Sequence, residues 1–216
     1  MSASVITYDR GMGRWEPNAR GRLAQAALTL YNEKGFDATT VAEISARAGL
    51  SERTFFRHFP DKREVLFSGT EMVRDLLART IAEVPATAAP VQAVGAALGA
   101  VCGIMQEDPE RVRLRDSVVS AHTELREREL IKLAMFASVM TEALIERGVS
   151  ERVANLAAEQ GVAIFKVAFA LWVRGPDGSK LTDILHELMA EARGVLGAVS
   201  RPHSCAGGSS WPTMGP

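Results

Sequence analysis

An all-α fold is what the sequence predicts, on three observations. Apolar residues recur three and four positions apart through most of the chain, the period of one helix face. Helix-starting residues and helix-ending glycines punctuate that pattern at intervals suited to helices. No run alternates polar and apolar residues as a half-buried strand does, and no internal repeat is evident. The expected organisation is an N-terminal arm (residues 1–16), a three-helix unit (17–67), a larger helical unit (68–199) and a tail (200–216). The tail is rich in Gly, Ser and Pro, has no packing pattern and is expected to be disordered.

The arm carries Arg10 and Arg14, cations able to reach a minor groove or phosphates beside a bound duplex. Pro17 suits a first helical turn. Leu23, Ala27, Leu30 and Tyr31 then keep helical spacing up to Gly35, an end signal. The stretch from Thr39 to Lys62 organises the rest. Thr40 with Glu43 reads as a capping box, Val41, Ile44 and Ala48 share a face, and Gly49 is the residue that ends a helix in the left-handed conformation. Leu50 fills the crevice before a second helix, Glu52 to Phe59, capped by Ser51 and buried through Phe55 and Phe59. Its other face shows Arg53, Thr54, Phe56, Arg57 and His58. Two short helices joined by a tight turn make a helix-turn-helix, and the second suits a major groove about 12 Å wide. Such pairs also occur in all-α proteins whose surface arginines are merely solvated.

A family resemblance narrows the choice. A helix ending in EKGFDATTV, followed by AEISARAGLSERTFFRHFPDKREVLF, resembles the DNA-binding domain of the TetR family of bacterial transcriptional regulators. The likeness covers about Ala19 to Phe67 and rests on Gly35-Phe36, Thr39-Thr40-Val41, Ala48-Gly49-Leu50-Ser51, Thr54-Phe55, Phe59-Pro60 and Lys62. It implies a DNA-binding regulator with an effector cavity in the larger unit and a homodimer built from the last two helices. Beyond residue 85 or so it says little. Phe56 stands where the family more often carries tyrosine, which puts the phosphate hydrogen bond of that hydroxyl in doubt.

A fourth helix is expected from Asp61, where Asp61 and Glu64 form another capping box, to about Glu83. Val84 to Gln106 carries no charge over 23 residues, enough to cross a bilayer, which takes about 20. Pro85, Thr87, Pro90, Gln92 and Gln106, with much Ala and Gly, make it a buried helix of about 90–106 instead. Asp108-Pro109 starts a helix through Val112, Val118 and Val119. Thr123 caps a long one, with Leu125, Leu133, Phe136, Met140 and Leu144 inward and Gly148 at its end. Ser150 caps the next, whose apolar residues cover more than one face, so it is expected to be buried on most sides. The last, from Leu181, keeps a single stripe.

Net charge is only -1, so no global basic field binds nucleic acid indiscriminately. Residues 1–65 hold ten Lys and Arg against eight Asp and Glu, and the remainder fifteen against eighteen. That mild asymmetry has the sign of a DNA-reading unit on an acidic partner unit. Cys102 and Cys205 make no disulfide framework, and the N-terminus lacks the apolar core of a signal peptide; a cytoplasmic location is expected. His58, His122, His186 and His203 are scattered. No nucleophile triad, phosphate loop or metal-ligand spacing appears, so neither enzyme activity, cofactor nor metal is expected.

The candidate DNA contacts divide by chemistry. Phosphate positioning falls to Thr40 at a helix N-terminus, Lys62 and, more weakly, Arg47; Ser51 belongs to the same surface. Base reading falls to Arg53, Thr54 and Arg57, with Phe56 able to lie against a thymine methyl. His58 is a phosphate contact or a support of the fold. Met105, Phe136, Met140, Phe165, Phe169 and Trp172 are either core or the soft, aromatic lining of a ligand cavity. Arg126 and Lys132 suit an acidic head group at its mouth. Leu156, Ile164, Leu171, Leu181, Leu185, Leu188 and Leu196 are the candidate dimer interface.

The function expected is that of a repressor, a homodimer released from a palindromic operator in double-stranded DNA by a small hydrophobic effector, with no membrane partner. The alternatives are the same fold without a ligand or acting as an activator, and a helical small-molecule binder without DNA recognition.

Overall fold

The computed structural model describes residues 18–198, with side chains as far as residue 192. The arm, Pro17, the tail with Cys205 and His203, and the side chain of Leu196 lie outside the described residues. Nine α-helices and no strand make up the described residues: α1 (Ala19–Lys34), α2 (Val41–Arg47), α3 (Glu52–His58), α4 (Thr70–Glu83), α5 (Pro90–Met105), α6 (Pro109–Ala121), α7 (Thr123–Glu146), α8 (Glu151–Arg174) and α9 (Leu181–Ala198).

Local chemistry sets the ends of these helices. Asn18 caps α1, its side chain accepting from the Gly21 N–H at 3.0 Å. The Thr40–Glu43 capping box is present in full at α2, and Ser51 accepts from the Thr54 N–H at 3.2 Å to cap α3. Gly49 has φ +65°, and a Cβ there would stand 2.9 Å from Arg22 Nη2, whose guanidinium donates to the Ala48 carbonyl. The turn needs glycine both for its dihedral and for that approach.

The fourth helix differs from expectation. Asp61 Oδ1 accepts from the Arg63 and Glu64 N–H groups at 2.7 and 3.0 Å, but it caps only a short 3-10 turn, Glu64–Phe67. The box is not closed, because the Glu64 carboxylate turns to Arg128 at 2.6 Å and Lys132 at 3.3 Å. Cationic partners outcompete a neutral backbone N–H for it. Helix α4 proper begins only at Thr70, beyond Gly69.

The described residues fall into two compact units, one of residues up to Arg74 with Pro109–Ala134, the other of Asp75–Asp108 with the chain from Met135. The first unit therefore takes in α6 and the start of α7, which the linear division of the sequence assigns to the larger domain. Its core joins Leu23, Ile44, Phe55 and Phe59 with Val118, Val119 and Leu125. In the second unit α5, α8 and α9 pack on one another. Small residues let them: a Cβ on Gly161 would meet Val94 Cγ1 at 2.3 Å, and one on Gly95 would meet Met189 Cε at 2.9 Å. The uncharged segment is thus a buried helix of small residues, as its composition indicates, and Cys102 within it is fully buried, its thiol pushed up to about 12 by desolvation. Arg147 secures the end of α4, donating to the carbonyls of Ile81, Val84 and Pro85.

Candidate nucleic-acid interface

The helix-turn-helix is anchored by its buried aromatics. Phe55 and Phe59 are at most 1% exposed, with ring centroids 5.6 Å apart, and burial of each ring contributes about 1.5–3 kcal/mol. A second set of bonds ties α1 to the segment after α3. Tyr31 Oη donates to the Lys62 carbonyl at 2.7 Å, and burial raises the Tyr31 hydroxyl well above its ordinary pKa, with the Asp61 charge adding to it. Lys62 Nζ donates to the carbonyls of Phe36 (2.8 Å), Asp37 (3.2 Å) and Thr39 (2.9 Å), and lies 4.5 Å over the Phe36 ring. An ammonium has three donors, and here all three are committed. The phosphate contact expected of Lys62 is corrected accordingly: its amine staples the α1–α2 turn.

Other candidates are also engaged within the chain. Thr40 Oγ1 and the Thr40 N–H both donate to Glu43 Oε2, at 2.8 and 2.9 Å. The start of α2 already holds an anion, its own Glu43 carboxylate, which favours the same dipole end a phosphate would. Lys34 bonds that carboxylate and, ahead of Thr40, pulls its pKa down to about 2. Arg47 makes a bidentate pair with Glu33 at 2.6 and 3.1 Å. Both partners are exposed, so the pair is worth at most about 1 kcal/mol and can be exchanged for a phosphate. Ser51 and Thr54 bond each other through their hydroxyls at 3.0 Å. His58 is half-buried, and its Nε2 is closed off without a hydrogen-bond partner among the described residues. That nitrogen offers nothing to a phosphate. Burial, then the charges of Arg57 and Arg20, lowers its pKa and keeps the ring neutral.

What remains open to a partner is one face of α3. Arg53, Phe56 and Arg57 are all exposed, Phe56 by 55%. Neither guanidinium has a hydrogen bond or ion pair among the described residues, unlike Arg22, Arg47, Arg63, Arg115, Arg128 and Arg147. Two free forks flanking an aromatic on a rigid helix is an arrangement for base edges in a major groove. Sequence spacing does not reveal the Lys62 staple or the Tyr31 bond; the one hint is a tyrosine inside the apolar stripe of α1.

Residues α6 and α7 brace this unit with charge. Arg115 donates to the Leu66 carbonyl at 2.9 Å and to Glu129 at 2.7 Å, and Arg63 pairs with Glu124 at 2.9 Å. Lys132, expected at a cavity mouth, is instead paired with Glu64, and Arg126 reaches only Thr123 Oγ1 at 3.2 Å. No acidic head group is called for by either.

In the second unit Phe165, Phe169 and Trp172 form a ladder along α8, with centroids 6.1 and 6.3 Å apart. Trp172 is buried and donates Nε1–H to the Ser179 carbonyl at 2.9 Å. Met140 is wholly buried, while Met105, Phe136, Phe165 and Phe169 are half-buried. A depression of about 450 Å³ lies elsewhere on α8, lined by Lys166, Val167, Ala170, Leu171, Arg174 and Gly175, and includes none of these six. Helix α8 turns small residues inward (Ala154, Ala157, Ala158, Gly161) and leaves Val153, Leu156, Val167 and Leu171 43–65% exposed. It is long and apolar enough to cross a membrane by length and composition, but Glu159 and Lys166 interrupt it and its inner face packs on α5 and α9. Leu181 and Leu185, expected at a dimer interface, have no exposure within the chain. They offer a second copy no surface, since they fill the core between α9 and its neighbours. Ile164 and Leu188 are half-exposed. Among the described residues no group of three His, Cys, Asp or Glu side chains is placed to hold a metal.

Comparison with known proteins places this geometry. Residues 23–68 match the family model described as bacterial regulatory proteins, tetR family. The HTH-type transcriptional regulator TcmR of Streptomyces glaucescens is 33% identical over 88 residues, 41% of this chain and 39% of that protein. The chain thus spans about two fifths of that relative's length, and the relative is a regulator, not an enzyme. Among solved structures, FadR of Thermus thermophilus, a transcriptional repressor in complex with lauroyl-CoA, superposes with TM-score 0.55 at 20% identity, over 88% of this chain and 100% of that one. SmeT, the repressor of a Stenotrophomonas maltophilia multidrug efflux pump, does so with TM-score 0.57 at 24% identity, over 82% and 89%. At those identities the likeness is one of fold.

Proposed function

Residues 23–68 are a DNA-binding domain of the tetR family, and from that premise we propose that the chain is a cytoplasmic transcriptional repressor whose homodimer leaves a near-palindromic operator when a hydrophobic small molecule binds. The observation that carries the DNA reading is the uncommitted face of α3: Arg53 and Arg57 are unpaired and exposed while Lys62, Arg22 and Arg115 on the same unit are bound internally. A cation held in reserve on a braced helix is available to guanine or phosphate at no cost in internal bonds. The contact set is therefore Arg53, Phe56 and Arg57, with Thr40, Ser51, Thr54 and an exchanging Arg47 beside the backbone.

The exposed apolar face of α8 supports the dimer. Val153, Leu156, Val167 and Leu171 give a stripe that water solvates poorly, and a second copy laid against it with Ile164 and Leu188 covers it. The effector reading rests on the half-buried aromatic ladder Phe165–Phe169, together with the acyl-thioester held by the similarly folded FadR. A mainly apolar guest fits those walls.

Selection of duplex from a random pool by the full chain tests the first part, and enrichment of a two-fold symmetric sequence is expected. Release of that duplex is then measured with fatty acids, acyl-CoA thioesters and planar aromatics against sugars and amino acids. Failure to enrich any sequence overturns the operator; release by a polar metabolite alone, indifferent to Phe165→Ala, overturns the apolar effector.

A further inference from the structure

We infer that Phe56 is a specificity residue that reads the C5-methyl group of a thymine in the bound duplex; this rests on the DNA-binding reading above. The phenyl ring is 55% exposed, although such side chains are ordinarily taken into a core. It is nevertheless held, meeting the buried Phe55 ring edge-on with centroids 5.4 Å apart and planes at 81°. Arg53, Phe56 and Arg57 stand at i, i+3 and i+4 on α3 and so share one face. The ring therefore sits in register with two guanidinium groups that have no partner among the described residues.

The chemistry of the ring limits what it can meet there. It neither donates nor accepts a hydrogen bond, so a phosphate pressed against it loses water and gains nothing. Guanine, cytosine and adenine present polar edges to the major groove, and thymine alone adds an apolar group, its C5-methyl. A phenyl ring facing the groove therefore gains most against thymine. Arg53 and Arg57 are four residues apart, a rise of about 6 Å at 1.5 Å per residue. That is about two base-pair steps of 3.4 Å, so the thymine lies within about two base pairs of the guanines the arginines suit.

The test uses the full chain and the duplex selected above, at one fixed salt concentration. Each thymine is replaced in turn by deoxyuridine, which removes the methyl group and leaves every polar edge atom in place. Affinity is expected to fall about fourfold at one thymine and its symmetry mate, the value of one buried methylene-sized group, and little at the others. Phe56→Ala and Phe56→Gln are expected to bind the thymine and deoxyuridine duplexes alike, whereas Phe56→Leu keeps part of the difference. A series in which no methyl matters overturns the inference, as does an equal loss in the wild type and in the Ala and Gln variants. Absence of any selected sequence overturns the DNA-binding reading itself and this inference with it.

Discussion

Tyr31 and Lys62 are joined in one circuit: the phenol donates to the Lys62 carbonyl, while the Lys62 ammonium donates to three carbonyls just beyond the end of α1. The residue after the reading helix is thereby tied at both main chain and side chain to the helix that precedes it. The position of α3 depends on this circuit as much as on Phe55 and Phe59.

Lys62→Ala is accordingly expected to act on stability. It leaves three carbonyls without their shared donor and removes the cation from the Phe36 ring, a loss of about 1–3 kcal/mol. Thermal melting of the full chain should show a lower midpoint, while the salt dependence of DNA binding per folded molecule stays that of the wild type. A salt slope reduced by about one phosphate, with melting unchanged, would return Lys62 to the DNA.

Arg57→Ala and Arg53→Ala should behave in the opposite way. Neither removes an internal bond among the described residues, so melting stays unchanged. Each should cost about 1–3 kcal/mol in operator affinity and relax preference at one base pair. Binding to single-base operator variants measures this, and equal losses on operator and random duplex would make them phosphate contacts instead.

Leu156→Glu and Leu171→Glu place a carboxylate on the exposed stripe of α8. Sedimentation should show a folded monomer with full helicity, because only association buries those sites. Leu185→Glu puts the same charge into a fully buried position and should unfold the chain, since an unpaired buried carboxylate is too costly to keep. An intact dimer of both stripe variants would move the interface elsewhere.

Gly161→Ala brings a Cβ to 2.3 Å from Val94 Cγ1 and 3.1 Å from Leu98 Cδ1. The α5–α8 crossing has to open, at a cost of about 1–3 kcal/mol. Gly103→Ala on α5 meets nothing within 4 Å and should gain up to about 1 kcal/mol from helix propensity. Urea unfolding of the two variants compares them directly, and an unaffected Gly161→Ala would show that the crossing yields.

Stability should fall with acid in two stages. His58 has its pKa lowered by burial and the Arg57 and Arg20 charges, so the unfolded chain takes up a proton that the folded one refuses. Stability is therefore lost as pH drops through 6.5, the ordinary histidine value, towards the lowered one. Glu43, pulled down to about 2, contributes stability that is complete above the ordinary carboxylate value of 4.5 and is lost as pH falls below it. Urea midpoints against pH should show both steps, and His58→Gln should remove the first. A first step that survives His58→Gln would assign it to another group.

The sequence by itself determined where the helices run and which segment is the helix-turn-helix. Those are matters of local chemistry: Thr40 with Glu43, Ser51 with Thr54, Gly49 at the turn and apolar spacing all act within a few residues. Only the tertiary structure decided which cations are free to read DNA. The Lys62 donors end on carbonyls 23 to 26 residues earlier in the chain, and Arg47 finds Glu33 across α1 and α2; no spacing rule reaches that far. Spacing likewise places Leu156, Leu171, Leu181 and Leu185 on apolar faces without saying what each face meets. Burial then separates them, two outward and two at zero exposure, because a helix face acquires its meaning from the element packed against it. For the same reason Val118, Val119 and Leu125 belong to the core of the DNA-binding unit, although the chain reaches them some fifty residues after that domain's sequence pattern ends.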